Sequence, residues 1–187
     1  MDDTQETSQK LDFESIKVAE RKTQNRRTII LSLIGNLSFC WSNNESMLIY
    51  IIKALLRTDE VSAKIIFGTL NTTRARIDLV NRLAVVHIED EALAKELKRL
   101  IRIFSDCTKI RNDFIHCMFE LDGTGAITHT HSLKIQVKKD ELTTTTSRDL
   151  DDKRITQMAQ TVKRMIKLNN DIWAFVPKLT KYMDSKD

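Results

Sequence analysis

Apolar residues recur at helical spacing through most of this chain. From Arg26 onward, Ile30, Leu33, Leu37, Trp41, Leu48, Ile52 and Leu55 fall at steps that keep them on one side of a helix. The spacing predicts one long helix from Arg26 to about Arg57, bent at Gly35 or at the polar patch Ser42-Asn43-Asn44. That patch lies on or beside the apolar stripe, which puts Asn44 and Glu45 half-buried near mid-helix. Leu11, Phe13, Ile16 and Val18, scattered among charges, predict a first short helix over 11–25. Residues 1–10 read as disordered.

Asp59 is placed to cap a short helix through Phe67, stopped by Gly68. Asn71, Thr72 or Thr73 begins the next, with Ile77, Val80, Leu83, Ala84 and His87 as its inner face. His87 reads as a surface or boundary residue. Glu89-Asp90-Glu91 supplies negative charge where a helix N-terminus favours it. A long helix over Asp90–Cys117 follows, with a stripe of Leu93, Leu97, Leu100, Phe104 and Cys107. The next step of that stripe lands on Arg111, before Phe114, Ile115 and Met118 resume it.

The period then changes to two. Phe119–Leu121, a turn at Asp122-Gly123-Thr124-Gly125 and an arm from Ala126 to Val137 predict a β-hairpin. Ile127, His129, His131, Leu133, Ile135 and Val137 would share one face of the second arm. Thr143–Thr146 reads as a low-complexity link. Asp149 or Asp151 starts a last helix, with Ile155, Met158, Val162, Met165, Ile166 and Ile172 facing inward. Pro177 is expected to end it, leaving a loose lysine-bearing tail. The sum is an all-α fold, a helical bundle with a β-hairpin between its last two helices. In domain terms it is a polar segment over 1–25, a helical domain over 26–176 and a tail over 177–187.

Composition narrows the class. One proline and four glycines in 187 residues suit long uninterrupted helices. A net charge of +4 permits a nucleic-acid partner without demanding one. Cys40, Cys107 and Cys117 match neither a zinc pattern nor a disulfide framework, so a reducing cytoplasm is expected. The acidic start Met1–Glu6 is unlike a signal peptide, and the apolar region from Thr28 to Leu56 is too polar to span a bilayer. His129 and His131 sit two apart on a strand, as chelating histidines can, but no third ligand is evident and no metal site is assigned. Gly123 and Gly125 lack the lysine and following helix of a phosphate loop. Cys117 adjoins His116, but helix neighbours point about 100° apart, which argues against a nucleophilic cysteine.

The chemistry concentrates in Ile110-Arg111-Asn112-Asp113-Phe114-Ile115-His116-Cys117. On a helix Arg111 and His116 lie about 140° apart with Asn112 between them, and Asn112 and His116 are i,i+4 neighbours. The arginine occupies a position that periodicity assigns to an interior or interface. Two readings of these residues stay open. In one, Arg111 pairs with Glu45 or Asp113 and His116 is a helix-end residue favoured by the dipole. In the other, Glu45 and Asp113 support Arg111, and Arg111, Asn112 and His116 do chemistry.

Arg111-Asn112-x3-His116, on the penultimate helix of a small bundle, resembles the HEPN superfamily. Trp41-x3-Glu45 and Ile77-Asp78-Leu79-Val80 look like stretches common in its bacterial members. The resemblance spans roughly residues 26–176 and implies a four-helix bundle, a homodimer and, in many members, a metal-independent endoribonuclease with no cofactor. It implies Arg111, Asn112 and His116 as catalytic residues at a composite dimer site, with RNA as substrate. It also implies a toxin or antiviral-defence role, with a cognate antitoxin or nucleotidyltransferase as partner. Other members bind or scaffold without cutting, so a non-catalytic interaction, dimerisation or nucleotide-binding module is the alternative.

Overall fold

A computed structural model describes residues 13–132, 136–138, 141–143 and 146–186. The expected disorder over residues 1–10 lies outside them. Helices α1 (Phe13–Ser46), α2 (Leu48–Leu56), α3 (Glu60–Thr69), α4 (Thr73–His87) and α5 (Glu91–Ile115) come first. Strands β1 (Cys117–Leu121), β2 (Ile127–Ser132), β3 (Gln136–Lys138), β4 (Glu141–Thr143) and β5 (Thr146–Asp149) follow, then α6 (Asp152–Asp184). The chain is thus mostly helical with a small antiparallel sheet, in keeping with the expected helical fold carrying a β insertion. The chain divides into two compact units. One comprises residues up to Ser32 with Cys117–Asp151, the other Leu33–His116 with Asp152 onward.

The expected short first helix and the start of the expected long one are a single 34-residue helix, α1. The long helix does not reach Arg57 unbroken. It stops at Ser46, and α2 restarts after Met47. The residues around the break explain it. Asn44 Nδ2 donates to the Cys40 carbonyl at 2.8 Å and Ser46 Oγ to the Ser42 carbonyl at 3.0 Å. Such back-bonding competes with the helical ladder, and Met47 N pairs with Asn44 O in a tighter turn. Arg57 then closes α2 in the left-handed region at φ 51°.

Side-chain caps set the next three starts. Asp59 accepts from Val61 N and Ser62 N at 2.8 and 3.0 Å, Thr72 from Ala75 N at 3.1 Å, and Asp90 from Leu93 N at 2.8 Å. Gly68 does not stop α3, which runs one residue further to Thr69. α5 ends at Ile115, not Cys117, so His116 is its C-cap and Met118 is an exposed strand residue. α6 passes through Pro177 to Asp184. The proline forfeits one backbone bond, but Phe175, Leu179 and Met183 on either side of it are buried. The expected loose tail is therefore helix, and Lys186 Nζ reaches Glu89 Oε1 at 2.9 Å. Ile166 is 51% exposed and does not belong to the inner face, which Met165 occupies instead.

The core of this helical unit is built on α2. Leu48, Ile51, Ile52 and Leu55 are fully buried and join a cluster with Val80, Leu97, Leu100, Phe104, Ile172 and Phe175. Among the described residues no helix is long and apolar enough to cross a membrane.

In the other unit the expected hairpin is present as β1 and β2, with a shorter second arm than expected, and a further strand joins it. β1, β2 and β5 form an antiparallel sheet in that order, and β3 pairs with β4. β2 ends at Ser132, so Val137 belongs to β3, while Leu133 and Ile135 lie outside the described residues. The Thr143–Thr146 stretch carries the end of β4 and the start of β5. At the β1–β2 turn it is Gly125, not Gly123, that takes positive φ, at 79°. Asp122 Oδ1 accepts from Thr124 Oγ1, Thr124 N and Ala126 N at 2.6, 2.8 and 3.0 Å. His129 and His131 share a face, as alternation requires, and each meets a carboxylate. His131 Nε2 lies 2.7 Å from Glu120 Oε2, and His129 Nε2 lies 3.0 Å from Asp149 Oδ1. Among the described residues no group of three or more His, Cys, Asp or Glu side chains is placed to hold a metal ion.

Candidate functional site

The Arg111 region opens onto a cleft of about 730 Å³ within the helical unit. The last turn of α5, the C-terminal part of α1 and the first turn of α4 line it, and Arg111, Asn112 and His116 all reach it.

Trp41 anchors one wall. Its ring stacks on Phe104 with centroids 6.5 Å apart, and its Nε1 donates to Thr108 Oγ1 at 3.0 Å. The hydroxyl of Thr108 in turn donates to the Phe104 carbonyl at 2.8 Å, so the indole has a fixed orientation. The Arg111 guanidinium lies over that ring, 4.1 Å from its centroid. A contact of this kind contributes about 1–2 kcal/mol when partly desolvated. Arg111 Nη1 donates to Asn112 Oδ1 at 2.9 Å. The geometry turns two successive residues, about 100° apart on the helix, toward one point. Burial pulls the Arg111 pKa down, and the nearby Glu45 charge opposes that pull. Arginine stays protonated at neutral pH through shifts of this kind.

His116 stands apart from this packing. As the C-cap it has φ −111° and ψ 31°, and its backbone N–H bonds the Asn112 carbonyl at 3.1 Å. Its side chain is exposed at the cleft rim. The sequence-based picture of three residues on one helical surface therefore holds for Arg111 and Asn112 only. The histidine leaves the helix beside them because α5 ends one residue earlier.

Glu45 does not pair with Arg111. It is buried, and its Oε1 accepts from Thr73 Oγ1 at 2.5 Å and from Arg76 Nη1 at 2.9 Å. Arg76 is held further by the Phe67 carbonyl, 3.2 Å from its Nε, and by the Phe67 ring, 3.9 Å from its guanidinium. Asp113 is half-buried, and it does not line the cleft. Asn44, expected near Glu45, is buried and donates to the Cys40 and Met165 carbonyls, at 2.8 and 3.0 Å. It is a structural tie between α1 and α6.

Sequence reasoning missed Arg76 and the clamp on Arg111 by Trp41. Arg76 carried a signal. It sits in the first turn of α4, where the dipole disfavours a cation and no acid is present, so a specific partner is implied. Trp41 gave none beyond its place in an apolar stripe. The buried thiols are not part of the site. Burial raises the pKa of Cys40 and of Cys107, which makes both poor nucleophiles at neutral pH.

Comparison with protein-family models, with curated proteins and with solved structures returns no match for this chain.

Proposed function

We propose that the chain is a HEPN-type, metal-independent endoribonuclease, with its helices as the family's four-helix bundle and a second copy completing the site. One observation carries this reading. An exposed histidine sits at the rim of an open cleft whose wall holds an oriented arginine and asparagine. In the proposed reaction the RNA 2′-oxygen attacks its own phosphorus and the bond from phosphorus to the 5′-oxygen breaks. His116 takes the 2′-hydroxyl proton, and the partner's His116 gives a proton to the leaving 5′-oxygen. Arg111 and Asn112 hold the phosphate oxygens as charge gathers on them. The products are a 2′,3′-cyclic phosphate and a 5′-hydroxyl.

A second reading has its own observation. One face of Arg111 is covered by Trp41 and one of its amino groups is engaged by Asn112, as in a purely structural strut. On that view the cleft binds a partner or nucleotide and turns nothing over. Incubation with mixed RNA in EDTA separates the two. The ribonuclease reading expects cyclic-phosphate ends from the parent protein and none from His116→Ala or Arg111→Ala. His116→Ala should melt within about 2 °C of the parent, since an exposed side chain contributes little to stability. Equal cleavage by parent and variants, or none by a folded dimeric parent, overturns it.

A further inference from the structure

A second opening, of about 620 Å³, runs between α4 and α5. Its floor is apolar, made by Ile77 and Ala84 of α4, Ile88 at its C-cap, and Leu97 and Ile101 of α5. Val85 stands at its edge 85% exposed, and Val86 next in sequence is 71% exposed. The other edge is cationic. Lys98, Arg102 and Lys109 follow one another along α5 at steps of four and seven, so they form one row beside the floor. The acid in this lining, Asp106, is already engaged, 3.2 Å from Lys109 Nζ and 3.9 Å from Arg164 Nη2.

We infer that this groove is a docking site for an amphipathic helix of a partner protein that carries carboxylates along one edge. The α4 wall from Ile77 to Ile88 is about 16 Å long at 1.5 Å per residue, which matches three helical turns. A helix laid there would bury an apolar stripe at i, i+3/i+4 and i+7 against the floor. Charge selects the partner. With Lys109 paired to Asp106, Lys98 and Arg102 remain as the cations beside an apolar floor; they favour acidic neighbours and repel basic ones, with an effect that salt weakens. Ile77, Ser105 and Lys109 line both this groove and the Arg111 cleft, so an occupant would lie against the entrance to that cleft. Docking itself does not depend on the cleft being catalytic.

The test uses the full chain and two designed 15-residue helical peptides. They share one leucine stripe, and one carries glutamates and the other lysines along the same edge. Fluorescence anisotropy should show the glutamate peptide binding at least tenfold more tightly at low salt. Lys98→Glu/Arg102→Glu should invert that preference. Val85→Glu, a change at an exposed position, should weaken the glutamate peptide at least tenfold and the lysine peptide less, because the new carboxylate attracts lysines. Equal binding of the two peptides, or binding that ignores all these substitutions, overturns the proposal. So does self-association of the chain that Val85→Glu abolishes and neither peptide competes with, since the occupant would then be a second copy. RNA cleavage is not read in this experiment, so its outcome is separate from that of the ribonuclease reading.

Discussion

Arg76→Met isolates the ion pair behind the cleft. The Arg76 and Glu45 side chains are 16% and 10% exposed, so both charges are largely out of water. Methionine keeps most of the stem packing against Phe67 and removes only the guanidinium. Glu45 is then left buried, with Thr73 as its remaining hydrogen-bond donor. Breaking a buried pair from one side costs about 3–5 kcal/mol, because the stranded charge has lost both water and its counterion. The lost bond to the Phe67 carbonyl, about 1 kcal/mol by itself, is included in that range. Glu45→Gln on the Arg76→Met background removes the stranded charge and should recover about 1–2 kcal/mol. The assay is urea unfolding at pH 7 followed by tryptophan fluorescence. Trp41 and Trp173 both belong to the helical unit, so the signal reports on the unit that holds the pair. A loss below about 1 kcal/mol for Arg76→Met, or additivity of the two substitutions within about 0.5 kcal/mol, would refute the buried-pair reasoning.

Trp41→Phe keeps an aromatic face under Arg111 and loses the bond to Thr108, for about 1 kcal/mol; Trp41→Leu loses both and should cost about 3 kcal/mol by the same urea assay, whereas equal costs would mean the ring face does not matter. The Thr124 hydroxyl, followed by the Thr124 and Ala126 amides, holds the Asp122 carboxyl below the usual aspartate range. A depressed folded pKa means the turn's contribution is full above the unfolded aspartate value and is lost as pH falls through the lower folded one. An NMR titration of Asp122 with a midpoint at or above that of free aspartate would contradict this. Pro177→Ala should restore a helical N–H in the interior of α6 at an exposed position and raise the melting temperature by several degrees; a fall on thermal unfolding would show that the proline relieves a clash.

What the sequence disclosed follows the range of the forces involved. Asp59, Thr72 and Asp90 act within three residues of themselves: Asp59 was readable as a cap, Thr72 as one of three candidate starts, and Asp90 as a helix start from its acidic cluster. The apolar stripe of α5 was readable too, since Leu97, Leu100, Phe104 and Cys107 are all buried where periodicity put them. The break at Met47 was less legible, because it depends on which side chains turn back onto their own helix. Strand β5 was not read as a strand, with Thr146 placed in a link and Asp149 offered as a helix start, because its residues are polar and exposed and show no hydrophobic alternation. It is held by backbone pairing to β2 instead. Pro177 misled for the opposite reason: a local rule predicted a stop, and the burial of Leu179 and Met183 outweighed it.

The same distinction separates Arg111 and Arg76, two of the arginines that line the cleft. Both sit where helical logic does not want a cation, Arg111 on an apolar stripe and Arg76 in a helix first turn. From sequence alone Glu45, buried among the described residues, and Asp113 both stood open as partners of Arg111. The structure assigns Glu45 to Arg76, which ties the start of α4 to α1 and leaves Arg111 balanced on a neutral ring and a neutral amide. A carboxylate in direct contact would cancel much of the charge that Arg111 could present to a phosphate. A tryptophan face and an asparagine oxygen orient it while leaving its charge in place. Bringing an acid to Arg111 is therefore the discriminating perturbation. Asn112→Asp changes little in volume and should add a full ion pair at the same 2.9 Å contact. As an exposed or half-exposed pair it should leave stability within about 1 kcal/mol. RNA affinity should drop at least tenfold at low salt if Arg111 meets phosphate, with the difference narrowing as salt rises. Unchanged affinity and salt dependence would mean that Arg111 is a strut and the cleft reads something other than a phosphate.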